Sequence, residues 1–371
     1  MIIKRLKLTN FRNYSACEQL WNEHINILYG LNAQGKSNLL EAICYLGLAS
    51  SFRAAADTEL IGWEEDYFYL EADIVSELSG RIHMSTAFNR EKKRRWLIDH
   101  TPKTRLADTV GVFHTVVFAP EDINLIKGGP EMRRRYLNRQ ISQLDQEYCH
   151  RLIRYNHLVR QRNACLKSWE QHHDNEQLEI WNEQLLELGN SISLHRHRII
   201  KDLAPLAAQM HENLSGGEQL QLRYVPSARA SSGEYGENFD TLCARELYER
   251  GLKRVEQSEK LRGLSLCGPH RDEIIISVNN HSARDFCSQG QQRTAALSLK
   301  LAELELAARL RGEYPVLLLD DVFSELDKKR RRRILEQTVE KAQTFITSVD
   351  RVEDLPKAGL WQVKSGIISP L

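Results

Sequence analysis

Apolar and basic residues alternate through the first ten positions, with Ile3, Leu6 and Leu8 on one side of the pattern, which predicts a strand. A turn at "NFRNY" and the β-branched run "HINILYG" follow, so two strands lead into a glycine-rich stretch. Beyond it Leu39, Leu40, Ile43, Leu46 and Leu48 recur at roughly helical spacing, and Ser37 and Asn38 open that helix. Residues 67–119 read as strands and turns, in "YFYLEADIV", "RIHMSTAF", "RRWLIDH" and "HTVVFAP". The character changes past Pro120. Over 130–213 there is no β-rich run, and "EIWNEQLLELGNSISLHRHRIIKDLAPLAAQM" carries helical periodicity. A strand-like "QLQLRYVP", a Ser/Gly-rich loop "SARASSGEYGEN" and a helix over 239–260 come next. The last third alternates strand "EIIISVN", helix "QQRTAALSLKLAELELAARL", strand "PVLLLDD", helix "KKRRRRILEQTVEKA" and strand "TFITSV". That order implies an α/β fold: a parallel or mixed sheet flanked by helices, completed by both ends of the chain and interrupted by a helical insertion. No repeat of fixed period and no heptad run long enough for an extended coiled coil is visible.

Composition narrows the class. At 371 residues the chain can form one large or two ordinary domains. Its 51 Lys and Arg nearly cancel 50 Asp and Glu, so any affinity for nucleic acid must come from local clusters of positive charge. The seven cysteines are scattered without a C-x-x-C pair, which points to reduced thiols and a cytoplasmic location. The N-terminal residues lack the apolar core of a signal peptide, and no run approaches the roughly 18 apolar residues of a membrane span. A soluble protein with no membrane partner is expected.

The chemistry begins at residues 30–37, "GLNAQGKS", which fit G-x-x-x-x-G-K-[ST] between a strand and a helix. Gly30 and Gly35 let the backbone curl so that amide N–H groups face phosphate oxygens, Lys36 adds a point charge, and Ser37 can ligate Mg²⁺. Asn32 and Asn38 belong to the same candidate nucleotide-binding set. A phosphate loop needs an acidic partner at the end of a neighbouring strand. "VLLLDD" supplies one: Asp320 is placed to hold Mg²⁺, and Asp321 to orient an attacking water. The acidic turn "SELD" at 324–327 follows and caps the next helix.

Two strings compete for the motif that ABC-type ATPases place over a partner's nucleotide. "LSGGEQ" at 214–219 matches in spelling but precedes a strand-like segment. "SQGQQ" at 288–292 matches less well in spelling, yet Ser288 and Gly290 open a helix that leads into the acidic strand, where free N–H groups can grip a γ-phosphate. Position favours Ser288 over Ser215.

The loop "GLNAQGKSNLLEAI", the stretch "PEDINLIKGGPEMRRRYLN", "GPHRDE" at 268–273, "SQGQQR" and "LLLDDVFSELD" occur in the order and spacing of the RecF family, bacterial recombination-mediator ATPases related in their heads to SMC-class proteins. The chain resembles that family over nearly its whole length, most weakly over 165–262. The resemblance implies an ABC-type head split into residues 1–119 and 223–371, with a helical second lobe at 120–222. It implies an ATP-dependent homodimer in which Lys36, Ser37, Asp320 and Asp321 of one copy face Ser288, Gly290 and Gln291 of the other. It implies ATP as a switch for binding single- and double-stranded DNA at gap junctions, with slow hydrolysis, and RecO and RecR as partners in loading RecA. Departures are the "SQGQQ" spelling, an Asp at 321 where transporters carry Glu, and Thr347 and Ser348 where a switch histidine would fall. By the same resemblance Arg12 and Asn13 reach adenine or phosphate; otherwise they form a surface turn.

Candidate DNA-phosphate ligands are Lys92, Lys93, Arg94 and Arg95, then Arg133, Arg134 and Arg135, and Arg151, Arg154, Arg160 and Arg162. Each run alone also reads as a solvated face. "KKRRRR" at 328–333 reads as helix surface, and His270 and Arg271 as surface polar groups or DNA contacts. "HRH" at 195–197 lacks a metal-like ligand set. The competing functional class is the ATP-binding subunit of a membrane transporter, which the "LSGGEQ" string suggests and the long helical insertion disfavours.

Overall fold

The computed structural model describes residues 1–169, 175–228, 241–322, 328–338, 341–349 and 358–371. It forms two compact units, one built from Met1–Asp122 and Leu297–Leu371 and the other from Ile123–Ala296. In chain order the first unit opens with β1 (Ile2–Phe11), β2 (Tyr14–Leu20), β3 (Ile25–Tyr29), β4 (Tyr67–Ser76), β5 (Gly80–Asn89), β6 (Arg94–Ile98), β7 (Thr101–Lys103) and β8 (Thr115–Phe118). The second unit adds β9 (Leu220–Val225), β10 (Glu273–Val278) and β11 (His281–Ser282). The first unit is completed by β12 (Val316–Leu319), β13 (Thr344–Ser348), β14 (Ala358–Lys364) and β15 (Ile367–Pro370).

Two six-stranded sheets make the first unit, in the orders β2-β1-β4-β5-β6-β7 and β15-β14-β3-β13-β12-β8. The first is antiparallel, and β4 alternates buried with less buried residues as a sheet covered on one face must. In the second, β14, β3, β13, β12 and β8 run parallel, and β8, β12 and β13 are buried at every residue; β12 accordingly reads as an unbroken apolar run, whereas β13 also buries Thr344, Thr347 and Ser348. The helix Lys36–Leu48 touches β8 and β13 of this sheet and β1 and β5 of the other. Lying between two sheets, it is apolar around most of its circumference, and its Tyr45 ring meets Phe68 edge to face at 5.4 Å.

The second unit packs the helices Pro130–Leu144, Gln146–Lys167, Asn175–Ser215 and Thr241–Arg262 with the small sheet β11-β10-β9. The expected lobe boundary at 222 falls inside β9, which pairs antiparallel with β10 from Val225↔Glu273 to Leu220↔Val278. Strand pairing therefore carries the unit on to Ala296, and the expected 120–222 lobe is corrected to Ile123–Ala296. In the "GPHRDE" segment Gly268, Pro269 and Asp272 are buried, while Arg271 is exposed. Asp272, fully buried, accepts hydrogen bonds from Tyr224, from Tyr248 at 2.9 Å and from the Ser227 amide at 2.7 Å. His270 sets Nδ1 2.7 Å from the Tyr155 hydroxyl and Nε2 3.0 Å from the Ser265 carbonyl, so its ring is engaged inside the unit and not offered to DNA.

Candidate nucleotide site

Strand β3 delivers Gly30 into a position where a Cβ would lie 2.3 Å from the Val363 carbonyl oxygen, so a side chain has no room. Gly35 takes φ 115°, a left-handed conformation that L side chains rarely adopt, immediately before the helix Lys36–Leu48. The loop between them is held from outside. Asn13 donates to the Gln34 carbonyl at 3.0 Å and accepts from Asn38 at 2.8 Å, and the Tyr14 hydroxyl donates to the Gly35 carbonyl at 3.0 Å. On another side the amides of Ser365 and Gly366, in the turn joining β14 to β15, donate to the Gln34 side chain and carbonyl at 2.8 and 3.0 Å.

Inside the loop Lys36 donates to the carbonyls of Gly30 at 2.6 Å and Leu31 at 2.8 Å. Burial lowers its pKa while the charges of Asp321 and Asp320 oppose that shift. Ser37 donates through Oγ to Asp320 at 2.7 Å, joining the loop to the end of β12. Burial raises the pKa of Asp320, and the hydrogen bonds from Ser37 and Thr347 pull it back down. A cavity of about 170 Å³ opens here, lined by residues 32–38 with Arg53, Asp321 and Thr347. Ser37 and Asp320 are the oxygen donors that a Mg²⁺ ion would require.

Most of the sequence-derived half-site is thus assembled: Asn32, Gly35, Lys36, Ser37, Asn38, Asp320 and Asp321 converge, with Gly30 beneath and Asn13 buttressing. Arg12 departs from expectation. Its guanidinium forks onto the fully buried Glu41 at 2.9 Å through two nitrogens and donates to the Glu59 carbonyl, so its charge is spent inside the head. Sequence reasoning passed over Arg53, Tyr14 and the Ser365–Gly366 turn, and marked Thr347 only as standing where a switch histidine would fall; Arg53 stands in "SSFRAAA", with no motif to mark it. The 324–327 turn lies outside the described residues.

Ser288, Gly290 and Gln291 lie in the other unit, where Ser288 opens the helix Gln289–Arg311. Its Oγ accepts the Gln291 amide at 3.3 Å while Gln291 accepts the Ser288 amide at 2.9 Å, a reciprocal cap. A Cβ on Gly290 would meet nothing closer than Ser288 Oγ at 4.0 Å, so its face is open. The 214–219 string has the opposite polarity. Ser215 ends the helix Asn175–Ser215, and Gly216 and Gly217, both at positive φ, return their amides to the Glu212 carbonyl at 3.0 and 3.2 Å. A helix C-terminus presents carbonyls and negative potential, the wrong pole for phosphate.

The basic clusters divide sharply. Lys92, Lys93 and Arg95 are exposed, with Lys93 beside Glu91, whereas Arg94 pairs with Asp57 under the Phe88 and Tyr45 rings. Arg133 is buried and forks onto Glu273 at 2.7 and 2.8 Å, Arg134 donates to the Asp272 carbonyl, and exposed Arg135 pairs with Glu131. Arg151 is held by Glu147 and Ser191, Arg154 and Arg160 are exposed, and Arg162 is buried against Glu259 at 2.6 Å. Arg133 and Arg162 are therefore core ion pairs and not DNA ligands: the Arg133 guanidinium is forked onto Glu273, and the Arg162 guanidinium is divided among Glu259, Asn182 and Ser265, so neither has a face left for phosphate. No helix among the described residues is long and apolar enough to cross a membrane.

A parallel strand feeding a phosphate loop, with an acidic strand end beside it and a signature-like helix start in a second unit, defines an ATP-binding head of the ABC type. The comparisons carry this to the family. The model for the "RecF/RecN/SMC N terminal domain" matches residues 2–357. The chain is 41% identical over 372 aligned positions to the DNA replication and repair protein RecF of Exiguobacterium sp., covering 99% of this chain and 98% of that one. It is 38% identical over 375 positions to the Bacillus subtilis protein of the same name, covering 99% and 100%. Among solved structures, "the recombination mediator protein RecF-ATP in RecFOR pathway" superposes with a TM-score of 0.91 at 34% identity, covering 100% of this chain and 97% of the other. An SMC head "bound to the C-winged helix domain of ScpA" shares the fold at a TM-score of 0.56 and 13% identity, covering 100% of this chain and 97% of the other. The chain belongs to the RecF family.

Proposed function

We propose that this protein is an ATP-switched DNA-binding protein of replication and recombinational repair, acting in the cytoplasm. ATP with Mg²⁺ occupies the Lys36, Ser37 and Asp320 site, and a second copy closes over it with Ser288 and Gly290. The closed homodimer grips single- and double-stranded DNA at gap junctions and, with RecO and RecR, promotes RecA loading. Hydrolysis is weak and stimulated by DNA, with Asp321 orienting the water, and resets the clamp. The head is lobe I and the helical unit lobe II. The observation that carries this reading is the Ser37 to Asp320 hydrogen bond within a preformed phosphate loop, opposite in kind to the open, capped helix start at Ser288.

Lys36 neutralises phosphate charge after leaving the two loop carbonyls that hold it here. Ser37 and Asp320 would hold Mg²⁺, which supplies charge neutralisation at the phosphates. The test is sedimentation with ATP, Mg²⁺ and a gapped duplex. Ser288→Arg should abolish the ATP-dependent dimer, whereas Ser215→Arg should retain one, weakened at most by the loss of the hydroxyl that accepts the Glu218 amide; loss of the dimer in Ser215→Arg alone would overturn the assignment and favour a transporter-like site.

A further inference from the structure

The 214–219 string has a second property that its spelling does not suggest. Its glutamate, Glu218, accepts a 2.6 Å hydrogen bond from Nε2 of Gln291, while His211, wholly buried, sets its own Nε2 3.3 Å from the other carboxylate oxygen. Gln291 is thereby fixed from both ends: its Oε1 takes the Ser288 amide at 2.9 Å, and its Nε2 is committed to Glu218. A carboxylate acceptor makes this bond stronger than an amide pair. Glu218 is itself clamped. Its amide donates to Ser215 Oγ at 3.0 Å, the next amide, of Gln219, donates to Asn279 at 2.9 Å, and Leu220 already pairs in β9.

We propose that Glu218 is a positioning residue for the composite nucleotide site. It locks the Gln291 carboxamide, and through it the Ser288 amide and hydroxyl, in the geometry that meets the nucleotide of a second copy. In this arrangement the Gln291 side chain serves the turn, leaving the Gly290 face to approach phosphate. The inference rests on Ser288 being the signature serine.

The experiment measures ATP-dependent self-association by sedimentation for Glu218→Ala, Glu218→Gln, Gln291→Ala, the Glu218→Ala/Gln291→Ala double variant and Ser288→Arg. Amide exchange over residues 289–292 is followed in parallel. Glu218→Ala should weaken self-association about tenfold, the loss of one charge-assisted hydrogen bond. Glu218→Gln keeps an acceptor at the same reach and should restore most of it. The double variant should be no worse than Gln291→Ala, because both remove one bond. Amides 289–292 should exchange faster in Glu218→Ala, while those of the helix Lys36–Leu48 should not, which separates a local release from general unfolding. Additive losses, failure of Glu218→Gln to rescue, or unchanged exchange would overturn the proposal. If Ser288→Arg abolishes the dimer and Glu218→Ala does nothing, only the positioning role falls. If Ser288→Arg itself does nothing, the composite-site reading fails and takes this role with it.

Discussion

Thr347 donates its hydroxyl proton to Asp320 at 2.8 Å, and the same oxygen receives the amide of Asp321 at 2.8 Å. One side chain at the end of β13 therefore sets both acids at the end of β12. Where a transporter would carry a histidine, this chain carries a residue that works from beneath.

Thr347→Val keeps the shape and removes that bond. Burial already raises the Asp320 pKa, and losing a hydrogen bond that lowers it moves it further up. Metal binding needs the ionised form, so the affinity for Mg²⁺ with ATP should fall about tenfold, and the loss should grow as pH falls toward the raised Asp320 pKa. Calorimetric titration at several pH values checks both; a pH-independent loss would refute the link.

Asp321 sits at φ 51°, a left-handed conformation that Asp and Asn tolerate better than longer side chains. Asp321→Glu brings the carboxylate nearer the water and should raise ATP turnover several-fold, at a cost of about 1 kcal/mol in stability. Asp321→Asn should keep the ATP-dependent dimer and lose hydrolysis. Unchanged turnover in Asp321→Glu would show that side-chain reach does not limit the rate.

Exposed and buried cations should separate in a salt titration. Replacing Lys92, Lys93 and Arg95 together by Glu should weaken DNA binding and flatten its dependence on log salt, by about 0.9 per lost phosphate contact. Arg133→Ala leaves Glu273 without its fork and should destabilise the fold by about 3 kcal/mol. Its salt slope should not change in the protein that remains folded.

Buried His114 has its pKa pushed down to about 3 by burial and the nearby Arg311 charge. The unfolded chain takes up this proton below 6.5 and the folded one does not until about 3. Stability is therefore lost as pH falls through that window, by up to about 1.4 kcal/mol per pH unit from this residue. His114→Gln should flatten the dependence of urea midpoints between pH 7 and 5 on the order of that amount. An unaltered slope would show that the imidazole is not buried in its neutral form.

What sequence made legible was local. Residues 30–37 and the two acids after β12 can be read because each function sits within a few residues of its pattern. Tyr14 and the Ser365–Gly366 turn could not, since their partners lie elsewhere in the chain and no spacing rule connects them; Thr347 stood out only by its position, and its bond to Asp320 could not be read. Arg133 and Arg135 look alike in a triplet, yet a helix turns about 100° per residue, and only Arg133 faces Glu273. The 222 boundary failed for the same reason: β9 looks like the close of a helical insertion until β10 is known to be its partner.

Strand β3, which carries the phosphate loop, has β13 on one side and β14 on the other. Both neighbours come from residues 344–364, more than 300 positions after β3 itself. Chains emerge from the ribosome N-terminus first, and long-range pairings form late. A nascent chain therefore displays the loop sequence for most of its synthesis without either flanking strand, so the sheet that frames the loop is completed only as the last residues emerge.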